Sequence, residues 1–319
     1  MSLYTQAFGR SESDTMKSIA LLDGGLGQEI NTRSSADASH SLWSVKVMQD
    51  EPDVVVRVHE EFIKAGAKVL TLNNYTASKP RLARFGMEDK FKQTHQLAID
   101  LLGRAVDNAA TNRSDVNIAG CLMPLAASYV ASAALGYEES YDQYCELIEV
   151  QINAVDVFLV ETISNITEAR AAADALASFG QPAYIGLTLN DDLSKTLRSG
   201  EPLDEAIDQL GKARAEAIMI NCCFPEAVDN VLPTLRDCGL KFGAYANGFT
   251  SIEALAPGAN VDSLQARKDL NPEAYSAHAL RWADAGASIV GGCCEIGPAH
   301  IAHLSETLLQ GGYATEKLR

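Results

Sequence analysis

Ser288-Ile289-Val290-Gly291-Gly292-Cys293-Cys294, close to the C-terminus, is an apolar run that ends in two glycines and two adjacent cysteines. Its β-branched residues read as a short buried strand, and the glycines let the backbone pass close to a neighbour where a Cβ would intrude. Side chains alternate faces along a strand. Adjacent cysteines can therefore share one partner only where the chain leaves strand geometry between them. Gly297-Pro298 supplies turn chemistry just beyond. A second run, Ala217-Ile218-Met219-Ile220-Asn221, ends in Cys222-Cys223 in the same manner. Two strands tipped with cysteine point to a soft metal ion.

Working outward from these two runs, strand-like segments recur at 19–22, 68–72, 116–121, 155–160, 183–189, 217–220, 241–246 and 288–290. Helical spacing lies between them, at 51–66, 90–109, 166–179, 203–214, 225–238 and 272–285, and a further helix follows Pro298. Strand-then-helix alternation eight times over, with no linker between units, predicts a single (β/α)8 TIM barrel rather than a doubly wound sheet. Residues 1–17 are polar and read as a poorly ordered leader to a barrel domain over 18–319. The 247–270 segment, rich in Gly, Pro and Asn, is too long for a minimal strand-to-helix loop and reads as a candidate lid.

Composition narrows the partners. With 47% hydrophobic residues the chain has ample core, and a formal net charge of −16 repels both phosphate backbones and anionic lipid. Nucleic acid and membrane are therefore excluded as expected partners. No apolar run is long enough to span a bilayer, and the N-terminus lacks a secretory core. Seven cysteines without regular spacing do not form a disulfide framework, so a reducing cytoplasm is expected.

Polar residues collect at the predicted C-terminal ends of the strands: Asp23, Thr71, Glu161, Cys222, Asn247, and Cys293 with Cys294. In a barrel that end is the catalytic face. Thiolates of Cys222, Cys293 and Cys294 make a good Zn²⁺ site. Three protein ligands leave the fourth position open for substrate, whereas a structural site would need a fourth from Cys223 or Cys121. Inert buried thiols are the plainer reading of any one of these cysteines, and Cys121, Cys145 and Cys238 are expected to pack as small hydrophobes. The histidines within helical patterns, His59, His95 and His278, are expected at the surface, as are His300 and His303. Asp23 and Glu161 can together hold an ammonium group while glycine amides hold a carboxylate, which is how an amino acid is recognised.

The chain resembles the zinc-dependent homocysteine S-methyltransferases. The resemblance runs from Leu22-Asp23-Gly24-Gly25 through Ser41-Leu42-Trp43-Ser44, Ala65-Gly66-Ala67, Val160-Glu161-Thr162, Asn221-Cys222 and Gly291-Gly292-Cys293-Cys294 to Pro298. It implies zinc held by Cys222, Cys293 and Cys294, with the homocysteine thiol completing the site. It also implies an amino-acid pocket at Asp23, Gly24 and Glu161 with Thr71 nearby, and a methyl donor near Tyr75. The Ser-Leu-Trp-Ser segment resembles the branch using S-methylmethionine or, less efficiently, S-adenosylmethionine. Trp43 and Tyr75 are then candidate walls of a cage for a cationic donor. The end of the chain soon after its last helix speaks against the betaine branch. Glu295-Ile296 departs from the Arg-Thr usual in the S-methylmethionine branch. Four readings stand at this stage: methyl transfer to homocysteine, the same scaffold acting on another thiol or selenol or using betaine, a structural-zinc or redox thiol protein, and a noncatalytic barrel that binds a metabolite.

Overall fold

A computed structural model describes residues 16–35, 42–109, 112–252 and 264–318. Its strands are β1 (Lys17–Leu21), β2 (Val69–Thr71), β3 (Asn117–Leu122), β4 (Val157–Ile163), β5 (Tyr184–Leu187), β6 (Ala217–Asn221), β7 (Lys241–Tyr245), β8 (Ile289–Val290) and β9 (Tyr313–Glu316). All pair in parallel, in the order β2-β3-β4-β5-β6-β7-β8-β1-β9. The ring closes where Leu22 bridges Val69: Asp23 N donates to Val69 O (3.0 Å) and Lys68 N to Leu21 O (2.8 Å). Eight strands thus make the expected barrel.

The ninth strand was not expected. β9 pairs with Lys17–Ala20 of β1, and Lys17 N donates to Gly312 O. Lys17 and Asp23 are an even number of residues apart, so their N–H groups lie on the same edge of β1. β9 therefore fills the lower part of the seam whose upper part is closed by β2. Lys17 belongs to β1 and not to the polar leader, whose residues 1–15 lie outside the described residues.

Apolar alternation divides the interior into two layers. Ala20, Leu22, Val69, Ala119, Leu159 and Met219 point into the barrel, while Ile118, Phe158, Ile218 and Ile220 face the helices. The helices are α1 (Leu26–Arg33), α2 (Trp43–Asp50), α3 (Pro52–Lys64), α4 (Lys79–Ala83), α5 (Phe91–Ala109), α6 (Tyr137–Glu149), α7 (Ile166–Ser178), α8 (Leu203–Lys212), α9 (Pro225–Arg236), α10 (Pro272–Asp284) and α11 (Pro298–Gln310). Proline near the start of α3, α9, α10 and α11 is pre-set for a first turn. Asn165 and Asn271 cap α7 and α10 with side-chain oxygens on Glu168 N (2.8 Å) and Ala274 N (2.9 Å). α6 occupies a place between the third and fourth strands where the sequence reading has no helix. Its buried Ser140, Tyr144, Leu147 and Ile148 follow a helical stripe. Among the described residues no helix is long and apolar enough to cross a membrane.

Two histidines correct the surface expectation. His59 and His95 are fully buried, and burial pushes them down to about 3 and about 4, so both are neutral. His95 is put to structural use. Nε2 faces Ala77 O (3.1 Å) and Nδ1 faces Asn74 Nδ2 (3.0 Å), pinning the loop that leaves β2.

Candidate active site

β6 ends at Asn221, and the next residue departs from strand geometry. Cys222 has φ +51, a left-handed conformation costly for a side chain with a Cβ. By strand alternation Asn221 points into the barrel and Cys222 would point outward. The left-handed residue turns its sulfur to the barrel mouth instead. Cys223 then continues on the outer side and packs among the residues between sheet and helices. Asn221 ties two strand ends together: its Oδ1 accepts from Thr162 N (2.9 Å) and its Nδ2 donates to Thr162 Oγ1 (2.9 Å). Thr162 is itself left-handed (φ +60), within the register shift that separates β4 from β5 beside Glu161. One asparagine therefore positions both Glu161 and Cys222.

Cys293 and Cys294 follow the two glycines of β8. Gly292 packs against Gly24 and the Ile296 side chain, so the chain just beyond β1 and the chain just beyond β8 approach closely. A Cβ on Gly292 would stand 2.3 Å from Ile296 Cγ2, and one on Gly24 would stand 2.0 Å from Ile296 O. The close neighbour that the glycines admit is thus the Ile296 segment, by its backbone at Gly24 and by its side chain at Gly292. Gly292 N donates to Asp23 O (2.9 Å), Gly25 N to Ile296 O (2.9 Å) and Cys293 N to Ala246 O (3.0 Å). The Gly25 amide is accordingly engaged within the protein.

The three sulfurs converge. Cys222 Sγ lies 3.7 Å from Cys294 Sγ, Cys293 Sγ lies 4.0 Å from Cys294 Sγ, and all three fall within 4.8 Å of one another. A tetrahedral ion with sulfur ligands at about 2.3 Å requires sulfur separations of about 3.8 Å. The trio fits a soft divalent ion. Among the described residues no fourth His, Cys, Asp or Glu joins it. Tyr129, also left-handed (φ +63), sets its hydroxyl 2.8 Å from Cys222 Sγ. Arg198 stacks over the Tyr129 ring at 5.5 Å and pairs with Asp191 at 2.9 Å. Asp191 in turn accepts from Phe224 N (2.8 Å), and Thr188 Oγ1 donates to Cys222 O (3.1 Å). The loop after β5 thus clamps the loop after β6.

A cavity of about 240 Å³ opens above the sulfurs, lined by Asp23, Thr71, Tyr75, Glu161 and the three cysteines. Asp23 accepts from Thr71 N (2.9 Å) and Thr71 Oγ1 (3.2 Å), which bonds the tips of β1 and β2 across the seam. Burial, partly offset by these hydrogen bonds and reinforced by Glu161, pushes Asp23 up to about 8. Burial likewise pushes Glu161 up to about 7, although Cys121 Sγ donates to its Oε2 at 3.2 Å. Cys121, expected to be only packing, is therefore the partner of this carboxylate. Two acids with raised pKa values that line one cavity are suited to meeting a cation.

The profile of the homocysteine S-methyltransferase family matches residues 20–308. The chain belongs to this family. A homocysteine S-methyltransferase of Escherichia coli is 28% identical over 315 residues, 90% of this chain and 94% of that one. Homocysteine S-methyltransferase 1 of Brassica oleracea var. italica is 27% identical over 91% and 93%. The crystal structure of homocysteine methyltransferase MmuM from Escherichia coli in its metallated form superposes with a TM-score of 0.75 at 25% identity, covering 91% of this chain and 96% of that one.

Of the residues singled out by sequence in this family member, Asp23, Gly24, Thr71, Tyr75, Glu161, Cys222, Cys293 and Cys294 all line the one cavity. Trp43 opens α2, and its side chain lies outside the described residues. The 247–270 segment returns on itself, with Phe249 bridging Ala266 in antiparallel sense and Arg267 N donating to Gly248 O (2.7 Å). Its residues 253–263 lie outside the described residues. Sequence reasoning passed over Tyr129, Cys121 and Arg81. Tyr129 and Arg81 stand several residues beyond β3 and β2, where proximity to a strand tip gives no signal. Cys121 lies inside β3, where a thiol reads as core.

Proposed function

We propose that this enzyme moves a methyl group from a sulfonium donor, S-methylmethionine or S-adenosylmethionine, to the thiol of homocysteine, forming methionine. The observation that carries the reading is the trio of Cys222, Cys293 and Cys294 set beside the carboxylates of Asp23 and Glu161 in one cavity. Cys222, Cys293 and Cys294 would hold Zn²⁺, which when bound keeps a thiol ligand deprotonated at neutral pH. Asp23 and Glu161 hold the ammonium of homocysteine, with Thr71 fixing Asp23 in place. Gly24 lines the cavity beside Asp23, where the amino-acid end lies against its backbone. This anchors the acceptor so that its sulfur meets the donor methyl in line, an alignment that can lower the barrier by several kcal/mol. The acceptor sulfur forms the new carbon–sulfur bond as the methyl's bond to the donor sulfur breaks. The electron pair stays on the donor sulfur, which leaves neutral.

Tyr75 stands on the donor side, its hydroxyl 2.9 Å from Ser128 Oγ. The fold unit is the barrel from Lys17 onward, working in a reducing cytoplasm, in keeping with seven cysteines free of disulfides. A structural-zinc role is disfavoured because Cys223 packs on the far side of the sheet and Cys121 is bonded to Glu161. Zinc-loaded protein given homocysteine with S-methylmethionine, S-adenosylmethionine and betaine in parallel should release methionine with a sulfonium donor. Failure with every donor overturns the reading. Zinc absorption spectroscopy adds a second check, since only a site with an open position gains a sulfur ligand when homocysteine is added.

A further inference from the structure

We propose that Arg81 binds the carboxylate of the methyl donor, restricting the enzyme to donors that carry an anionic group beside their cationic centre. This rests on the methyl-transfer reading above and names the donor class of the same site. Arg81 lies on α4, beyond the Tyr75 loop, and lines the cavity. Its Nε and Nη2 both donate to Pro124 O (3.2 and 2.9 Å), and Nη2 also donates to Ser128 Oγ (3.1 Å). Its guanidinium stands over the Tyr75 ring, 5.5 Å from the centroid. Every one of these partners is neutral. Among the described residues no carboxylate comes within ion-pair distance of it, whereas Arg198, stacked over Tyr129, is paired with Asp191.

Glu168, the carboxylate whose charge reaches Arg81, makes no ion pair with it and already accepts from Leu125 N (2.8 Å) and the Tyr144 hydroxyl (3.3 Å). A guanidinium held in a partly dry wall without a direct ion pair is prepared for an anion that arrives with a ligand. The acids that take the acceptor's ammonium, Asp23 and Glu161, extend from β1 and β4, so the cavity is acidic on one side and basic on another. Arg84 adds a second cation to the basic side, and the buried Nδ2 of Asn73 lines the cavity without a hydrogen-bond partner. A donor that is only a cation meets Arg81 as a like charge. A carboxylate on the donor converts that repulsion into a charge-assisted hydrogen bond, which is discrimination by penalty as well as by attraction. With Arg81 over one face of Tyr75, a sulfonium methyl is left the other face.

The test compares S-methylmethionine with its carboxamide, in the zinc-loaded wild type, Arg81→Gln and Arg81→Lys. The wild type should favour the carboxylate donor by at least about tenfold in kcat/KM, the usual effect of one charged hydrogen bond. Arg81→Gln should lose that preference through a higher donor KM while the homocysteine KM stays within about twofold, and Arg81→Lys should keep part of it. Equal use of both donors by the wild type overturns the proposal, as does an Arg81→Gln effect confined to homocysteine. Should Arg81→Gln not fold, the wild type and the charge-retaining Arg81→Lys decide. If no donor yields methionine, the functional reading fails separately. Calorimetric binding of the two compounds to wild type then judges Arg81, and equal affinities overturn its role.

Discussion

Cys222 Sγ and Cys294 Sγ lie 3.7 Å apart although 72 residues separate them in the chain. The approach depends on the left-handed backbone at Cys222, which aims one thiol of the Cys222-Cys223 pair at the mouth and the other at the helices. Cys222→Ala should therefore lower zinc affinity by about 100-fold or more, since it would take away one of the three sulfurs proposed to hold the ion and even outer-shell changes cost about 10- to 100-fold. Cys223→Ala should retain one zinc per chain. Chelator competition on both variants checks the contrast, and equal loss from both would contradict the assignment.

Glu161→Gln keeps the size of the side chain and can still face Cys121, but it removes the charge proposed to meet the homocysteine ammonium. The homocysteine KM should rise about 10- to 100-fold, matching a charged hydrogen bond of roughly 1.5–3 kcal/mol. Zinc content should be unchanged. Initial rates at varied homocysteine, with metal analysis of the same preparation, separate the two effects.

Asp23 and Glu161 give the free enzyme a distinctive response to pH. Their folded pKa values, about 8 and about 7, lie above the ordinary carboxylate range, so between about pH 4 and pH 8 the folded state holds protons that the unfolded chain has lost. Their contribution to stability is fully present below about pH 4, declines across this window and is lost once pH has risen through about 7 and about 8. Ammonium binding needs the ionised carboxylates and runs the other way. The melting temperature without substrate should fall from pH 5.5 to 8.5 by more in wild type than in Asp23→Asn, and the homocysteine KM of wild type should fall over pH 6.5–8.5. Thermal scans and pH-dependent kinetics measure the two slopes.

The Asp191–Arg198 pair is largely withdrawn from water, with side-chain exposures of 15% and 7%. Arg198→Met leaves Asp191 without its counter-charge and Tyr129 without its stacking partner. A destabilisation of about 3 kcal/mol is expected, at the low end for breaking a buried pair because Phe224 N still satisfies one carboxylate oxygen. Urea unfolding measures the loss. Because the clamp holds the Cys222 loop, zinc affinity should weaken in the same variant.

Gly292→Ala places a methyl group 2.3 Å from Ile296 Cγ2 where the chain just beyond β1 and the chain just beyond β8 approach. Overpacking of this kind costs about 1–3 kcal/mol, and relief would move the backbone that carries Cys293. Both the melting temperature and the zinc affinity should fall, as scanning calorimetry and chelator competition would record.

Periodicity and strand-tip chemistry carried much of this protein in the sequence itself. Strand–helix alternation is local, because a buried strand must be apolar on both faces and its covering helix on one, so the barrel was legible in runs such as Ala217–Asn221. Asp23, Glu161 and Cys222 were visible because a polar residue ending an apolar strand has few reasons to be there. What the sequence could not display was set by contacts between distant segments. β9 was hidden because a strand closing a seam needs no hydrophobic run of its own. His95 was misplaced because a polar ring on a helix looks exposed until Ala77 O and Asn74 are brought to it. Cys121 became the partner of Glu161, and Arg81 a cation over Tyr75 with no direct ion pair, only when parallel pairing set the tips of β2, β3 and β4 side by side. Residue type and spacing determined which groups reach the mouth of the barrel. Closure of the ring decided which of them meet, because hydrogen bonds and ion pairs depend on ångström distances that sequence separation does not encode.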